Sequence, residues 1–121
     1  MLEVKNIPAV VCSGCTLGEL KLPKKLTEIF NDAKKVTTIK KIVIPDMVKK
    51  IGNWAFFDLG AEIIFPKNTK IIFGEHACDS NNIQNLTVYS KWEMGNYCFY
   101  NNKITSLEVK NGIKEISSYC F

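Results

Sequence analysis

Ile42-Val43-Ile44-Pro45, followed by Ile51-Gly52 and then by Trp54-Ala55-Phe56, is the stretch on which the fold turns. Ile42 and Ile44 stand two apart, the spacing of one buried face of a strand. Pro45 has no amide hydrogen to give to a ladder, so the strand stops there. An aliphatic residue returns six places later at Ile51, and beyond it the small Ala55 precedes the bulky Phe56. The order is strand, turn, second apolar contact, turn.

Taking Pro45 as an anchor exposes a period across the chain. Lys5, Pro23, Pro66, Tyr89 and Lys110 hold equivalent places, at intervals of 18, 22, 21, 23 and 21 residues, which makes six units. Each anchor follows an apolar pair: Leu2 and Val4, Leu20 and Leu22, Ile42 and Ile44, Ile63 and Phe65, Leu86 and Val88, Leu107 and Val109. The returning aliphatic is Val11, Ile29, Ile51, Ile72 and Ile116, with Met94 one place early, and it is expected to fill the core from the opposite wall. Next comes a small column, Cys15, Ala33, Ala55, Ala77, Cys98 and Cys120, that lets neighbouring coils approach closely. The column after it holds Phe56, Phe99 and Phe121, large enough to fill the space between coils. Leu2-Glu3-Val4-Lys5-Asn6 recurs as Leu107-Glu108-Val109-Lys110-Asn111, which supports the frame.

The pattern resembles the BspA-like (Treponema-type) leucine-rich repeat, in which an apolar strand, a proline, an Ile-Gly step and an Ala-Phe pair recur. The resemblance covers nearly the whole chain, and it is most specific from Ile42 to Phe57. It implies an α/β repeat solenoid of about six units over residues 1–121, one domain, with a parallel β-sheet on one face and turns or short helical segments on the other. Three departures stand out: a short first interval, an insertion placed at Phe73-Gly74, and Tyr89 where the proline is expected. The competing reading is an α+β domain with helices over 24–35 and 49–59, since Leu26, Ile29, Phe30 and Ala33 also have helical spacing.

Composition narrows the function. With 121 residues, 46% hydrophobic and 23% charged, the chain is long enough to bury a core without help from disulfides or a metal. No run approaches the roughly 20 apolar residues of a membrane span, and the first residues lack the pattern of a secretory signal. Five cysteines cannot all pair within one chain, which suits a reducing compartment and leads to the expectation of a cytoplasmic protein. All sixteen basic residues are lysines, as expected of an A+T-rich bacterial or phage genome. Without arginine the chain lacks the planar fork used for bidentate base contacts, so sequence-specific DNA reading is not expected.

Nothing in the sequence assembles a reaction. Cys12 and Cys15 form a C-x-x-C pair, but zinc would want two further ligands and redox chemistry a thioredoxin-like βαβ unit. His76, the single histidine, has no partnered nucleophile nearby in sequence. No catalytic residue, metal or cofactor is expected, and the chain is read as a binding protein.

Several surfaces are candidates. The residue before the small column reads Trp54, His76, Tyr97 and Tyr119 in the last four units, an aromatic ladder that either docks a partner or packs between coils. Outward positions of the sheet place Val43 and Ile64 as an apolar spot rimmed by charge. The lysine doublets Lys40-Lys41 and Lys49-Lys50, with Lys24-Lys25 and Lys34-Lys35, form either a solvated face or a docking site for an acidic protein or an RNA backbone. At the C-terminal end, Val109, Ile116, Cys120 and Phe121 are expected to lie bare and to drive self-association, most simply as a homodimer. The function expected is protein–protein interaction, with another protein or a ribonucleoprotein as partner. The alternative is a phage or mobile-element inhibitor of the anti-CRISPR kind that occludes a nucleic-acid-guided nuclease.

Overall fold

The computed structural model describes residues 16–30, 38–113 and 115–121. The first repeat unit, the Cys12–Cys15 pair, Ala33 and the Lys34-Lys35 doublet lie outside them. Among the described residues nine strands follow in chain order: β1 (Thr16–Lys21), β2 (Glu28–Ile29), β3 (Thr38–Val43), β4 (Lys50–Ile51), β5 (Glu62–Ile64), β6 (Ile72–Phe73), β7 (Asn85–Val88), β8 (Glu93–Met94) and β9 (Ser106–Val109). Hydrogen-bonded neighbours are two apart in the chain: β1-β3-β5 and β7-β9 on one wall, β2-β4-β6-β8 on the other. Every pairing is parallel. This is a parallel β-solenoid, because a coil that turns once and returns in the same direction can pair only that way.

The second wall corrects the expectation of an α/β solenoid with helical segments: among the described residues there is no helix. Short strands stand where turns or helices were expected, because each coil supplies hydrogen-bond partners to the next. Lys49 N donates to Thr27 O at 2.8 Å, Ile72 N to Lys49 O at 2.9 Å and Glu93 N to Ile71 O at 2.9 Å. A helix would satisfy these groups within its own turn, but a stacked coil satisfies them in its neighbour and keeps the side chains facing the core. Of the residues with helical spacing, Leu26 and Ile29 turn into the core of the coil, whereas Phe30 is exposed.

The core lies between the walls. Ile42, Ile44 and Ile63 face Ile51 and Phe73 across it, with Ala55, Phe56, Ala77, Cys78, Cys98 and Phe99 closing the third side, all buried. One column needs correction. Ile72 points outward at 38% exposure and Phe73 takes the inward place at 2%. The extra residue of that coil sits upstream of Phe73-Gly74, in the turn after Pro66, where Asn68 adopts φ 55°. Gly74 then falls in register with Gly52, since Gly52 N donates to Ile29 O, Gly74 N to Ile51 O and Gly95 N to Phe73 O.

The first wall is not continuous: β5 and β7 do not pair. This is the longest interval of the repeat, 23 residues. An open groove of about 260 Å³ runs between them, lined in part by Ile63, Ile64, Leu86 and Tyr89. The coils are joined beside it by Asn82 N donating to Ala61 O at 2.8 Å.

Candidate functional site

After the second wall each coil turns on a tight corner. Ala55 N donates to Gly52 O, Cys98 N to Gly95 O and Cys120 N to Ser117 O, at 3.2–3.3 Å. The third residue of each corner has positive φ: Trp54 59°, Tyr97 61° and Tyr119 54°, with His76 at 54° in the coil between. Only this residue of each corner is left-handed, which makes these type II turns, where glycine or asparagine is the usual occupant. Bulky rings in this conformation cost of order 1–3 kcal/mol each and persist only where the surroundings over-determine them. Here the surroundings are the rings themselves.

Trp54 stacks on His76 with centroids 3.8 Å apart and planes at 9°. His76 stacks on Tyr97 at 4.6 Å and 7°, and Tyr97 on Tyr119 at 5.0 Å and 12°. The spacing is that of the coils, which are tied together beneath the rings by Trp54 N to Glu75 O, His76 N to Asn96 O and Tyr97 N to Ser118 O. Phe57 and Tyr100 meet Trp54 and Tyr97 edge-on, adding a second aromatic row. His76 and Tyr97 have both faces in the stack, and Trp54 and Tyr119 have one. Trp54 is 37% exposed and Tyr119 66%, while His76 and Tyr97 are half-buried. The rings pack between coils and still present part of their surface to solvent.

A polar scaffold fixes the middle of the ladder. His76 Nδ1 lies 2.6 Å from Asp79 Oδ2, and a carboxylate only accepts, so Nδ1 carries the hydrogen. Asp79 is buried, and its other oxygen accepts from Ser80 Oγ at 2.7 Å. The hydroxyl thus bonds to the carboxylate and not to the imidazole, so these three do not form a nucleophile relay. Beneath them the buried Asn81 accepts from Ala61 N at 3.0 Å and donates to the carbonyls of Phe56, Cys78 and Asp79 at 2.7–3.2 Å. Asn102 repeats the arrangement one coil later, accepting from Ile83 N and donating to Cys78 O and Phe99 O. Sequence reading missed both asparagines and Asp79. The signal was the Asn81 to Asn102 spacing of 21 residues, one repeat period.

On the first wall Val43 and Ile64 are register partners, Val43 half-buried and Ile64 40% exposed. Lys40 and Lys41 belong to β3 on that same wall, whereas Lys50 opens β4 on the second wall and Lys49 directly precedes it. Lys41 lies in register between Glu19 and Glu62, and Lys50 between Glu28 and Ile72. The doublets are therefore interleaved with carboxylates and divided between two faces.

At the far end Leu107, Val109, Ile116, Tyr119 and Phe121 are exposed. Cys120, expected bare there, is buried at 2%, because the small column points inward beneath the corner and Phe121 stacks on Phe99 at 5.9 Å. Cys78 and Cys98 are buried as well, and all three are free thiols. Burial pushes the Cys78 and Cys98 thiols above their ordinary range. Among the described residues no three His, Cys, Asp or Glu side chains are grouped to hold a metal ion, and no helix is long and apolar enough to cross a membrane.

The family model for the BspA type leucine rich repeat region matches residues 5–121, in six copies. The chain belongs to this family. Its six copies agree with the six units of the repeat, and the Ile-Gly step and the Ala-Phe pair of the family are the second-wall strand and the corner that carries the aromatic ladder. Membership points to a protein-interaction module, in a family that is generally non-enzymatic. Neither the curated proteins nor the solved structures yield a match.

Proposed function

We propose that this leucine-rich-repeat chain is a non-enzymatic protein-interaction module that docks its partner on the aromatic edge. The observation that carries the reading is the stack of four rings on left-handed corners, Trp54, His76, Tyr97 and Tyr119. His76 and Tyr97 are held on both faces and Trp54 and Tyr119 on one, so these rings have less rotational freedom to lose than free side chains and their edges bind at lower entropic cost. Trp and Tyr edges also combine apolar area with a polar tip, which is why they dominate binding hot spots. The Val43–Ile64 spot is smaller and is crossed by the Glu19, Lys41 and Glu62 row.

The test is partner capture with two variants. In Trp54→Asn/Tyr119→Asn the edge is removed while each corner keeps a residue suited to positive φ. Ile64→Thr changes the sheet face and leaves the corners alone. With tagged protein in lysate from a bacterium of A+T-rich genome, a protein held by the unaltered chain and by Ile64→Thr, but lost from the double variant, is the expected result. Loss from Ile64→Thr with retention by the double variant would move docking to the sheet. Capture of a guided-nuclease ribonucleoprotein would favour the reading of the chain as an inhibitor of that class.

A further inference from the structure

Beneath the aromatic edge the small column reads Ala55, Ala77, Cys98 and Cys120. Methyl groups fill its first two places, so packing alone does not call for sulfur in the last two. There the Sγ atoms of Cys98 and Cys120 stand 3.3 Å apart, both thiols free. Their backbones are held in adjoining coils by Phe99 N donating to Cys120 O at 2.8 Å. A disulfide needs an S–S distance of about 2.05 Å, so closure asks for roughly 1.2 Å of movement, within reach of two side-chain rotations. Met94 Sδ lies 3.7 Å from Cys120 Sγ, completing an apolar sulfur nest.

We propose that Cys98 and Cys120 are a redox modification site, a reversible disulfide that staples the sixth coil to the fifth. This goes beyond partner docking and stands independently of it. The two thiols are unequal. The hydrogen bond from Cys98 holds the Cys120 thiol below its ordinary value, whereas burial pushes that of Cys98 up. Cys98 is enclosed between the coils of Cys78 and Cys120, so Cys120 is the sulfur an oxidant meets first, and as thiolate it attacks. Its coil is the last described, bonded to the fifth at the corner by Tyr97 N to Ser118 O and Ser117 Oγ to Met94 O. Local opening of that corner admits the oxidant.

The oxidant is a low-molecular-weight disulfide of the glutathione class. Cys120 thiolate attacks one of its sulfurs, forming a mixed disulfide and expelling one thiolate. Cys98 then loses its proton to solvent and attacks Cys120 Sγ, expelling the second thiolate. Two protein thiols are oxidised to one disulfide, and one small disulfide is reduced to two thiols. The product fixes the last coil, and dithiol reductants reverse it.

Oxidation of the full chain carrying Cys12→Ser/Cys15→Ser with glutathione disulfide, followed by alkylation under denaturing conditions and peptide mapping, tests the site. The expected product is a Cys98–Cys120 bridge with Cys78 alkylated. Amide exchange over residues 106–121 slows by at least about tenfold, as a cross-link that restrains opening should cause. Dithiothreitol restores the original rate. Adding Cys98→Ala, a residue that the column accepts at Ala55 and Ala77, leaves glutathione on Cys120 and no slowing. A bridge to Cys78, a lasting mixed disulfide on Cys120 with Cys98 present, unreacted thiols, or a bridge without slowed exchange would each overturn the proposal.

Discussion

At Gly74 and Gly95 two coils come so close that a single added carbon has nowhere to go. A Cβ on Gly95 would lie 2.7 Å from the carbonyl carbon of Gly74 and 2.8 Å from its oxygen, and one on Gly74 would lie 2.6 Å from Asn53 N. These are backbone atoms of a hydrogen-bonded coil and do not yield as a side-chain tip would. Gly95→Ala is therefore expected to cost about 1–3 kcal/mol, the usual cost of overpacking. Thermal unfolding measures it, and an unchanged midpoint would show that the coils are farther apart than described. The Ile-Gly step was legible in the sequence as a recurrence, but the reason for it, backbone against backbone, is visible only once the coils are stacked. Ile72 shows the reverse failure. Counting from Pro66 put it in the core, whereas the turn at Asn68 absorbs an additional residue and turns Phe73 inward instead.

Among elements, the strand and corner columns were legible because they repeat chemical type: apolar pairs before the anchor, small residues after it, aromatics at the corner. The second-wall sheet was not, since a two-residue strand has no alternation to read and its coil-to-coil bonds leave no trace in local spacing. The asparagines were hidden for another reason. Asparagine pairs are ordinary turn chemistry and draw no notice in a sequence, but Asn81 and Asn102 reach into the coil to bind carbonyls and amides. Asn81→Ala removes the partner of Ala61 N and strips a donor from three carbonyls. With unpaired buried groups costing about 1–3 kcal/mol each, the loss should be roughly 3 kcal/mol. It should fall first on the Ala61 amide, whose hydrogen exchange, followed by NMR, is expected to quicken well beyond that of the Ile42 amide in β3. Uniform acceleration along both positions would mean that the asparagine does not hold this corner.

For the whole molecule, the parallel solenoid and the six copies of its repeat were legible from the period alone, and we propose self-association through the exposed residues of the last described coil. Leu107, Val109, Ile116 and Phe121 are exposed at the end of the stack where β9 has no further strand partner among the described residues, and an edge of this kind recruits another strand. A second copy of the chain, related by two-fold symmetry, satisfies both surfaces at once. Sedimentation at roughly 100 μM, well above ordinary specific dissociation constants, should show a dimer, and Val109→Lys/Ile116→Lys should return it to a monomer. A strict monomer at that concentration would remove this expectation without touching the stacked fold. That fold, with its rings in register from coil to coil, is tested most directly by the proton NMR spectrum of the single histidine. His76 is sandwiched between Trp54 at 3.8 Å and Tyr97 at 4.6 Å. Its Hδ2 and Hε1 resonances should therefore lie well upfield of those of an exposed histidine at the same pH, and should move back downfield in Trp54→Asn. Resonances at the positions of an exposed histidine in the unaltered chain would contradict the ladder and the coil register that builds it.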